Sequence, residues 1–157
     1  MAQEIERRFL VHKDRLPSLS QGERLVQGYL SDVPHVRFRI IKGKTAILCL
    51  KKELALGHRS EIEFAREDLS PAELRDLCAM ALHPPLAKTR YRVPHEGLVW
   101  EIDVYEEENE GLITAEVEIP APDCPVAFPD WIDASAEITG ESRYANINLT
   151  RKPFKQW

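Results

Sequence analysis

The sequence contains few cysteines, and their arrangement excludes several kinds of site. Cys49, Cys78 and Cys124 are odd in number, far apart and free of CxxC spacing. This pattern indicates neither a disulfide framework nor a zinc site, and it is typical of a reducing compartment. We therefore expect the three thiols to serve as small buried hydrophobes.

The chain also lacks an excess of positive charge. Its formal net charge is −5 at pH 7, whereas a general nucleic-acid-binding domain is expected to be strongly basic. Nucleic acid is therefore not an expected partner. An anionic ligand remains compatible with this charge, because a local cluster of lysine and arginine can override the global sign.

Long apolar runs are missing as well. No run approaches the ~18 residues of a membrane span, and the first residues do not resemble a secretory signal. The sequence thus predicts a cytoplasmic location and no membrane partner. With 157 residues, 43% of them hydrophobic and 30% charged, and no repeat or linker, we expect one globular domain over residues 1–157.

What the sequence does contain is a period of two. In EIERRF at 4–9, Glu4, Glu6 and Arg8 share one face of an extended strand, and Ile5 and Phe9 share the other. The same alternation of charged and apolar residues recurs at 36–40, 59–64, 88–93, 100–105 and 115–119. Shorter or more apolar strands are expected at 27–30 and 45–51. Turn signals at Lys42-Gly43 and over 106–111 predict an antiparallel meander of about eight strands.

One helix is well signalled over residues 69–82. Ser70 is a good N-cap, Pro71 suits the first helical position, and Glu73 completes a capping box. The helix should end before Pro84, because proline cannot continue it. Shorter helical pieces are expected near 13–19 and 141–149.

The charged faces allow two interpretations. A sheet with a solvated outer face and salt bridges is the ordinary case for any single strand. Against it, the charges occur as like-signed pairs along each strand, such as Glu4/Glu6, Arg37/Arg39 and Glu116/Glu118, which salt bridging does not require. A barrel that turns these pairs inward would suit a polyphosphate with Mg²⁺ or Mn²⁺, since carboxylates bind the metal and Lys and Arg bind phosphate oxygens. The apolar outer face would then need cover from helices such as 70–82.

Several motifs, taken in order along the chain, resemble those of one family. ExExR at the start is similar to the ExExK signature of the CYTH superfamily, the triphosphate tunnel metalloenzymes. The later motifs follow the family's order: QGYL, VRFR, RSEIEF, KTRYR, WEIDVY, GLITAEVEI and the tail EITGESRYANINL. The resemblance implies a mainly β (α+β) fold, an eight-stranded antiparallel closed tunnel with a charged lumen and a few covering helices. It also implies a triphosphate bound inside and Mg²⁺ or Mn²⁺ as cofactor.

The resemblance assigns roles position by position. The metal-binding carboxylates correspond to Glu4, Glu6 and Glu118, with Glu116 close by. The residues that hold the phosphates correspond to Arg37, Arg39, Lys51, Lys88 and Arg90. Arg59 lies in the RSEIEF motif, where it is expected to contact substrate, and Glu61 and Glu63 are expected to organise a second metal or the attacking water. Tyr29 is a candidate lumen hydroxyl, although a core tyrosine fits the sequence equally well.

Position 8 departs from the family, which usually has lysine there. Arginine cannot lose its proton in a protein, whereas a buried lysine can. A proton shuttle at Arg8 is therefore doubtful, but stabilisation of phosphate charge at the same position is not.

The expected activity is hydrolysis of inorganic tripolyphosphate to pyrophosphate and phosphate. Thiamine triphosphatase and adenylate cyclase activities occur on the same fold, so they stay open as alternatives. A polyphosphate-binding module without catalysis is a further alternative, which Arg8 makes credible. The expected partner is a small-molecule triphosphate, and the protein itself is expected to be a monomer or a homodimer.

Overall fold

In a computed structural model of the protein, residues 5–55 and 58–157 are described, and the side chains of 53–59 are not among the described ones. Glu4 lies outside this range, as does the side chain of Arg59. The fold is mainly β, and the described residues form nine strands and two short α-helices. The strands are β1 Ile5–Val11, β2 Glu23–Ser31, β3 His35–Ile41, β4 Thr45–Ala55, β5 His58–Arg66, β6 Leu86–His95, β7 Leu98–Tyr105, β8 Ile113–Ile119 and β9 Ile132–Glu137. The helices are α1 Pro71–Ala79 and α2 Asn146–Arg151, with 3₁₀ turns at Lys13–Arg15, Glu107–Asn109, Ser142–Tyr144 and Phe154–Gln156.

All nine strands form one antiparallel sheet in the order β5-β4-β3-β2-β6-β7-β8-β1-β9. The prediction of a simple meander was wrong, because β2 pairs with β6 and β1 pairs with β8. The count of eight was also too low, since β9 pairs with β1 at Phe9↔Glu137 and Val11↔Ile132. Within the described residues no ladder joins β5 to β9, so hydrogen bonds do not close this sheet into a barrel.

The sheet is nevertheless strongly curved. Arg8 on β1 donates a hydrogen bond to the carbonyl oxygen of Tyr144, and the next two residues, Ala145 and Asn146, line one cavity together with Tyr29 on β2. Strands β6, β7 and β8 lie between β2 and β1, and four strand spacings in a flat sheet would separate Tyr29 from Arg8 by about 19 Å. One short segment reaches both residues because the sheet is bent into a trough, with both side chains on its concave face.

The main apolar core lies on the convex face of this trough. It consists of Phe9, Trp100, Ile102, Ala115, Val117, Ile119, Trp131 and Ile132. The ring centroids of Trp100 and Trp131 are 5.8 Å apart. Cover comes from the segment that leads into β9, with Val126 and Phe128 packed here.

Helix α1 does not provide this cover. Its start is as predicted, since Ser70 and Glu73 form the reciprocal hydrogen bonds of a capping box. It ends at Ala79, three residues earlier than expected, and has no buried residue. The expectation that it shields the apolar face was wrong.

The remaining local predictions have mixed outcomes. Lys42 and Gly43 have positive φ and form the β3–β4 turn, and the acidic stretch 106–111 connects β7 to β8, both as predicted. Near 13–19 only one 3₁₀ turn forms, whereas 141–149 contains the start of α2. No helix of the described residues is long and apolar enough to cross a membrane.

Candidate functional site

Strand register places the charged residues of the alternating motifs on the concave face. Residues directly opposite each other in an antiparallel pair point to the same side of the sheet. On the acidic side, Glu6 lies opposite Glu118, Arg8 opposite Glu116, and Glu116 opposite Glu101. On the basic side the opposed pairs are Tyr29↔Arg37, Gln27↔Arg39, His35↔Lys51, Arg37↔Cys49, Cys49↔Glu63 and Lys51↔Glu61.

A basic cavity of about 450 Å³ opens over strands β2, β3 and β4. Helix α2 and the residue before it form its opposite wall. Its lining consists of Tyr29, His35, Arg37, Lys51, Lys52, Ala145, Asn146 and Ile147. Among the described residues, this lining contains Arg37, Lys51 and Lys52 but no carboxylate.

Arg37 and Arg39 have no direct counter-ion among the described residues, although the more distant charges of Asp103 and Glu63 act on Arg39. The Nε atom of each is buried and has no hydrogen-bond partner, and no carboxylate of the described residues forms an ion pair with either side chain. Burial, followed by the charges of Arg37 and Arg90, lowers the pKa of the Arg39 guanidinium. Both residues are half-buried, and withdrawing a cation from water without a partner is costly, so this pair is suited to bind an anion.

Tyr29 lies at the base of the basic cavity and is 5% exposed. Its hydroxyl accepts a hydrogen bond of 2.7 Å from Nε2 of Gln27. Because burial raises its pKa, the hydroxyl stays protonated at neutral pH and can donate to a ligand oxygen.

A second cavity, of about 530 Å³, is acidic. Among the described residues, four carboxylates line it, those of Glu6, Glu101, Glu116 and Glu118, together with Arg92, Gly97, Leu98, Val99, Ile119 and Pro120. A set of carboxylate oxygens suits hard cations such as Mg²⁺ and Mn²⁺. The family's metal therefore fits the residues present, although the oxygens of Glu6, Glu116 and Glu118 do not converge as one cluster within the described residues.

Arg8 lies between the acidic wall and the C-terminal segment. Its Nε is 3.2 Å from Oε2 of Glu116, and its Nη1 donates to the carbonyl oxygen of Tyr144 at 3.1 Å. Burial favours loss of its proton, but surrounding negative charge, including that of Glu116 and Asp103, outweighs burial and keeps the pKa of Arg8 raised. A lysine could not make both contacts in this way, because it lacks the planar fork.

Three charged residues form a buried network at the middle of the sheet. Nζ of Lys88 donates a hydrogen bond of 2.5 Å to Oδ2 of Asp103. Arg90 donates to both oxygens of the same carboxylate, from Nε to Oδ1 at 2.7 Å and from Nη2 to Oδ2 at 2.9 Å. Burial lowers the pKa of the Lys88 ammonium to about 8. Burial acts in the opposite direction on Asp103, but the two cations outweigh it and hold the pKa of that carboxyl far below its usual range. Asp103 belongs to the charged face of WEIDVY at 100–105, but neither the alternation nor the resemblance assigns it a role in the site.

Glu61 and Glu63 lie on β5 beside an unexpected partner. The thiol of Cys49 donates to Oε1 of Glu61 at 2.9 Å, and Nζ of Lys51 is 3.2 Å from Oε2. Atoms of Cys49, Glu61 and Glu63 lie within 4.8 Å of one another, as metal ligands would. Cys49 is buried, as expected of a small hydrophobe, but it also faces the trough, a role that the sequence interpretation missed.

Fold and site together define a class of protein: a curved antiparallel sheet whose concave face offers an anion a basic cavity and a cation an acidic one. No family model matches the chain. An inorganic triphosphatase from Acetivibrio thermocellus is 34% identical over 160 residues, which cover 100% of this chain and 99% of that protein. The solved structure of the inorganic triphosphatase NE1496 superposes with a TM-score of 0.72 at 28% identity, covering 96% of this chain and 95% of that one.

A more distant structure has the same fold. HpAC1 from Hippeastrum, for which a dominant triphosphatase activity is described, has a TM-score of 0.53 at 16% identity and covers 76% of this chain and 80% of its own. The chain belongs to the CYTH superfamily, the triphosphate tunnel metalloenzymes. The resemblance seen in its motifs is thus confirmed.

Proposed function

We propose that this protein hydrolyses inorganic tripolyphosphate to pyrophosphate and phosphate with the help of a divalent cation. The observation that carries the proposal is the pair of arginines without a direct counter-ion among the described residues, Arg37 and Arg39, on the same concave face as a cavity lined by carboxylates. A polyphosphate with its metal supplies the missing charge to both at once. The full-length similarity to a protein named inorganic triphosphatase supports the same substrate.

The basic side of the trough would bind the substrate. Arg37, Arg39 and Lys51 contribute charge around the basic cavity, and Arg59 and Arg90 are proposed to extend this surface. Charge-assisted contacts from arginine to phosphate are short and bidentate, which fixes orientation as well as affinity. We also propose that the trough closes around the bound triphosphate and so forms the tunnel that is typical of the family.

The acidic side would hold Mg²⁺ or Mn²⁺ through Glu4, Glu6, Glu116 and Glu118. A divalent cation bound there supplies positive charge that neutralises phosphate oxygens during phosphoryl transfer. The four side chains have the charge and donor type required.

The proposed catalytic groups stabilise the negative charge of the phosphates and orient the attacking water. Arg8 provides a permanent positive charge toward the phosphates, because its pKa is raised and it stays protonated. The protonated Tyr29 hydroxyl can donate to a phosphate oxygen, and the carboxylates of Glu61 and Glu63 can accept hydrogen bonds from an attacking water. Most of the rate enhancement in phosphoryl transfer comes from such positioning and charge stabilisation.

The deciding experiment measures phosphate release from tripolyphosphate, pyrophosphate, ATP and thiamine triphosphate, each with Mg²⁺ and with Mn²⁺. We expect tripolyphosphate to be hydrolysed at the highest kcat/KM, with no release when the metal is chelated. Preferential cleavage of ATP or thiamine triphosphate would replace the proposed substrate. Tight binding of tripolyphosphate without cleavage would instead identify a binding module.

A further inference from the structure

Asp103 has surroundings unlike those of any other carboxylate in the described part of the chain. It is the only Asp or Glu there that is buried, at 2% exposure. Lys88 and Arg90 contact it directly, and the charges of Arg8 and Arg39 are close enough to interact with it. Asp103 is thus a buried negative charge surrounded by cations at the middle of the sheet.

The geometry of Arg90 depends on this carboxylate. Asp103 accepts hydrogen bonds from Nε and Nη2, which form one edge of the guanidinium. An arginine has five N–H bonds, so three N–H bonds of Arg90 remain, two on Nη1 and one on Nη2. Of these two atoms, Nη1 lies 2.7 Å from Oε2 of Glu101. With one edge held by Asp103, the far end of the guanidinium is fixed in direction and keeps donors for a ligand.

Lys88 has a different environment from the other basic residues of the concave face. Its side chain is 0% exposed, whereas that of Lys51 is 31% exposed. Its Nζ touches Asp103 and lies 5.4 Å from the centroid of the Tyr105 ring. The Lys88 ammonium group is thus closed to solvent on every side, whereas the side chain of Arg90 is 11% exposed and can be reached by a ligand.

We propose that Asp103 is a positioning residue that holds Arg90 in its phosphate-binding orientation, and that Lys88 balances the charge of Asp103 instead of contacting the substrate. The inference rests on the proposed function, since it specifies how one phosphate-binding residue is held. It divides the KTRYR motif into a binding residue and a supporting residue. Two residues that alternate on the same face of one strand thus serve different purposes.

The direction in which Asp103→Asn changes KM distinguishes a positioning role of Asp103 from a purely electrostatic one. Asp103→Asn removes a negative charge beside an anion site, which by charge alone should tighten tripolyphosphate binding. If Asp103 orients Arg90, the same substitution should instead raise KM by about tenfold or more, close to the effect of Arg90→Met. Lys88→Met should raise KM by less than about threefold, because the fork between Asp103 and Arg90 is kept.

A matched control is available on the surface. Asp68 accepts the same pair of bonds, from Nε and Nη2 of Arg66, but both side chains are exposed. Asp68→Asn should therefore leave KM and kcat at wild-type values. It shows what removal of an arginine–carboxylate fork does when it is remote from the trough.

The Asp103→Asn protein leaves Lys88 buried without its partner and could therefore misfold. A second variant controls for this outcome. The double variant Lys88→Met/Asp103→Asn removes both charges, so its melting temperature should exceed that of Asp103→Asn. Its KM should stay raised, because Arg90 is still unsupported. If KM returned to the wild-type value together with stability, Asp103 would be merely structural and the proposal would be wrong.

The results also separate this inference from the proposed function. A tenfold rise in KM for Lys88→Met, or tighter binding by Asp103→Asn, would overturn the inference while triphosphatase activity stood. If the wild-type protein bound tripolyphosphate without cleaving it, the proposed function would fail, and the same ranking of variants would be tested with Kd from calorimetry. A wild-type protein that neither bound nor cleaved tripolyphosphate would overturn both.

Discussion

Replacing Arg39 with methionine should make the ligand-free protein more stable and its binding of tripolyphosphate weaker. The two effects have one cause. Arg39 lies two residues from Arg37 on the same face, its Nε is buried without a partner, and its pKa is lowered by burial and by neighbouring positive charge. Methionine keeps most of the aliphatic side chain and removes the charge.

The magnitudes follow from the spacing. Alternate residues of a strand are about 6.6 Å apart, so two unit charges at an effective dielectric constant of about 20 repel by about 2.5 kcal/mol. Asp103 and Glu63 offset part of this repulsion at Arg39, which leaves a gain of about 1 kcal/mol, or about 2–4 °C in melting temperature for a chain of this size. Loss of a charge-assisted contact to phosphate costs about 1.5–3 kcal/mol, which is about a 10- to 150-fold rise in Kd.

Thermal unfolding with and without tripolyphosphate, and calorimetric titration, measure both quantities. Arg39→Gln tests whether any gain comes from loss of charge or from added apolar contact. Arg24→Met is the matched control, because Arg24 is 52% exposed and paired with Glu106 at 3.0 Å. It should cost at most about 1 kcal/mol and leave Kd unchanged. Lower stability together with unchanged affinity in Arg39→Met would mean that Arg39 is a structural cation, and the anion site would be wrongly placed.

Three further outcomes are expected. Glu118→Gln should lower turnover by orders of magnitude at limiting Mg²⁺ and leave the melting temperature close to that of the wild type; wild-type rates across a Mg²⁺ titration would exclude Glu118 from the metal site. Arg8→Lys should lose the contact to the Tyr144 carbonyl and change kcat less than about tenfold, whereas a hundredfold gain in phosphate release would show that position 8 must shuttle a proton. Burial and the hydrogen bond to Glu61 raise the pKa of the Cys49 thiol to about 11, so at pH 8 it is protonated, and iodoacetamide followed by mass spectrometry should label it more slowly than Cys124. Equal labelling of the two thiols would contradict the buried, protonated state of Cys49.

The concave face could be predicted from sequence because its signal is local. A period of two assigns each residue of a strand to one side of the sheet without any knowledge of the neighbouring strands. For this reason Arg37, Arg39, Glu116 and Glu118 were placed on the face where the structure has them. The capping box of α1 was equally local and equally predictable.

The ninth strand gave no such signal. Its sequence, IDASAE at 132–137, has small residues where an alternating strand would have large apolar ones. Its ladder to β1 contains only two partner pairs with a register shift between them. It is held by the packing of Ile132 and the adjacent Trp131 on the convex core and by the bidentate ion pair of Glu137 with Arg7. These are long-range contacts that no local pattern reveals.

Depth within the trough is a further property that alternation cannot supply. Lys51 and Lys88 occupy equivalent inward positions in their motifs, yet one is partly exposed and the other fully buried. Lys88 lies on β6, the fifth of nine strands and the middle of the sheet order, while β4 is second from an edge. β6 has this middle position only because it pairs with β2, a strand far from it in the chain. The curvature of the sheet then encloses the side chains of β6 that face the trough. A charged residue at the centre of such a sheet needs a resident counter-charge, and Asp103 on the adjacent strand supplies it.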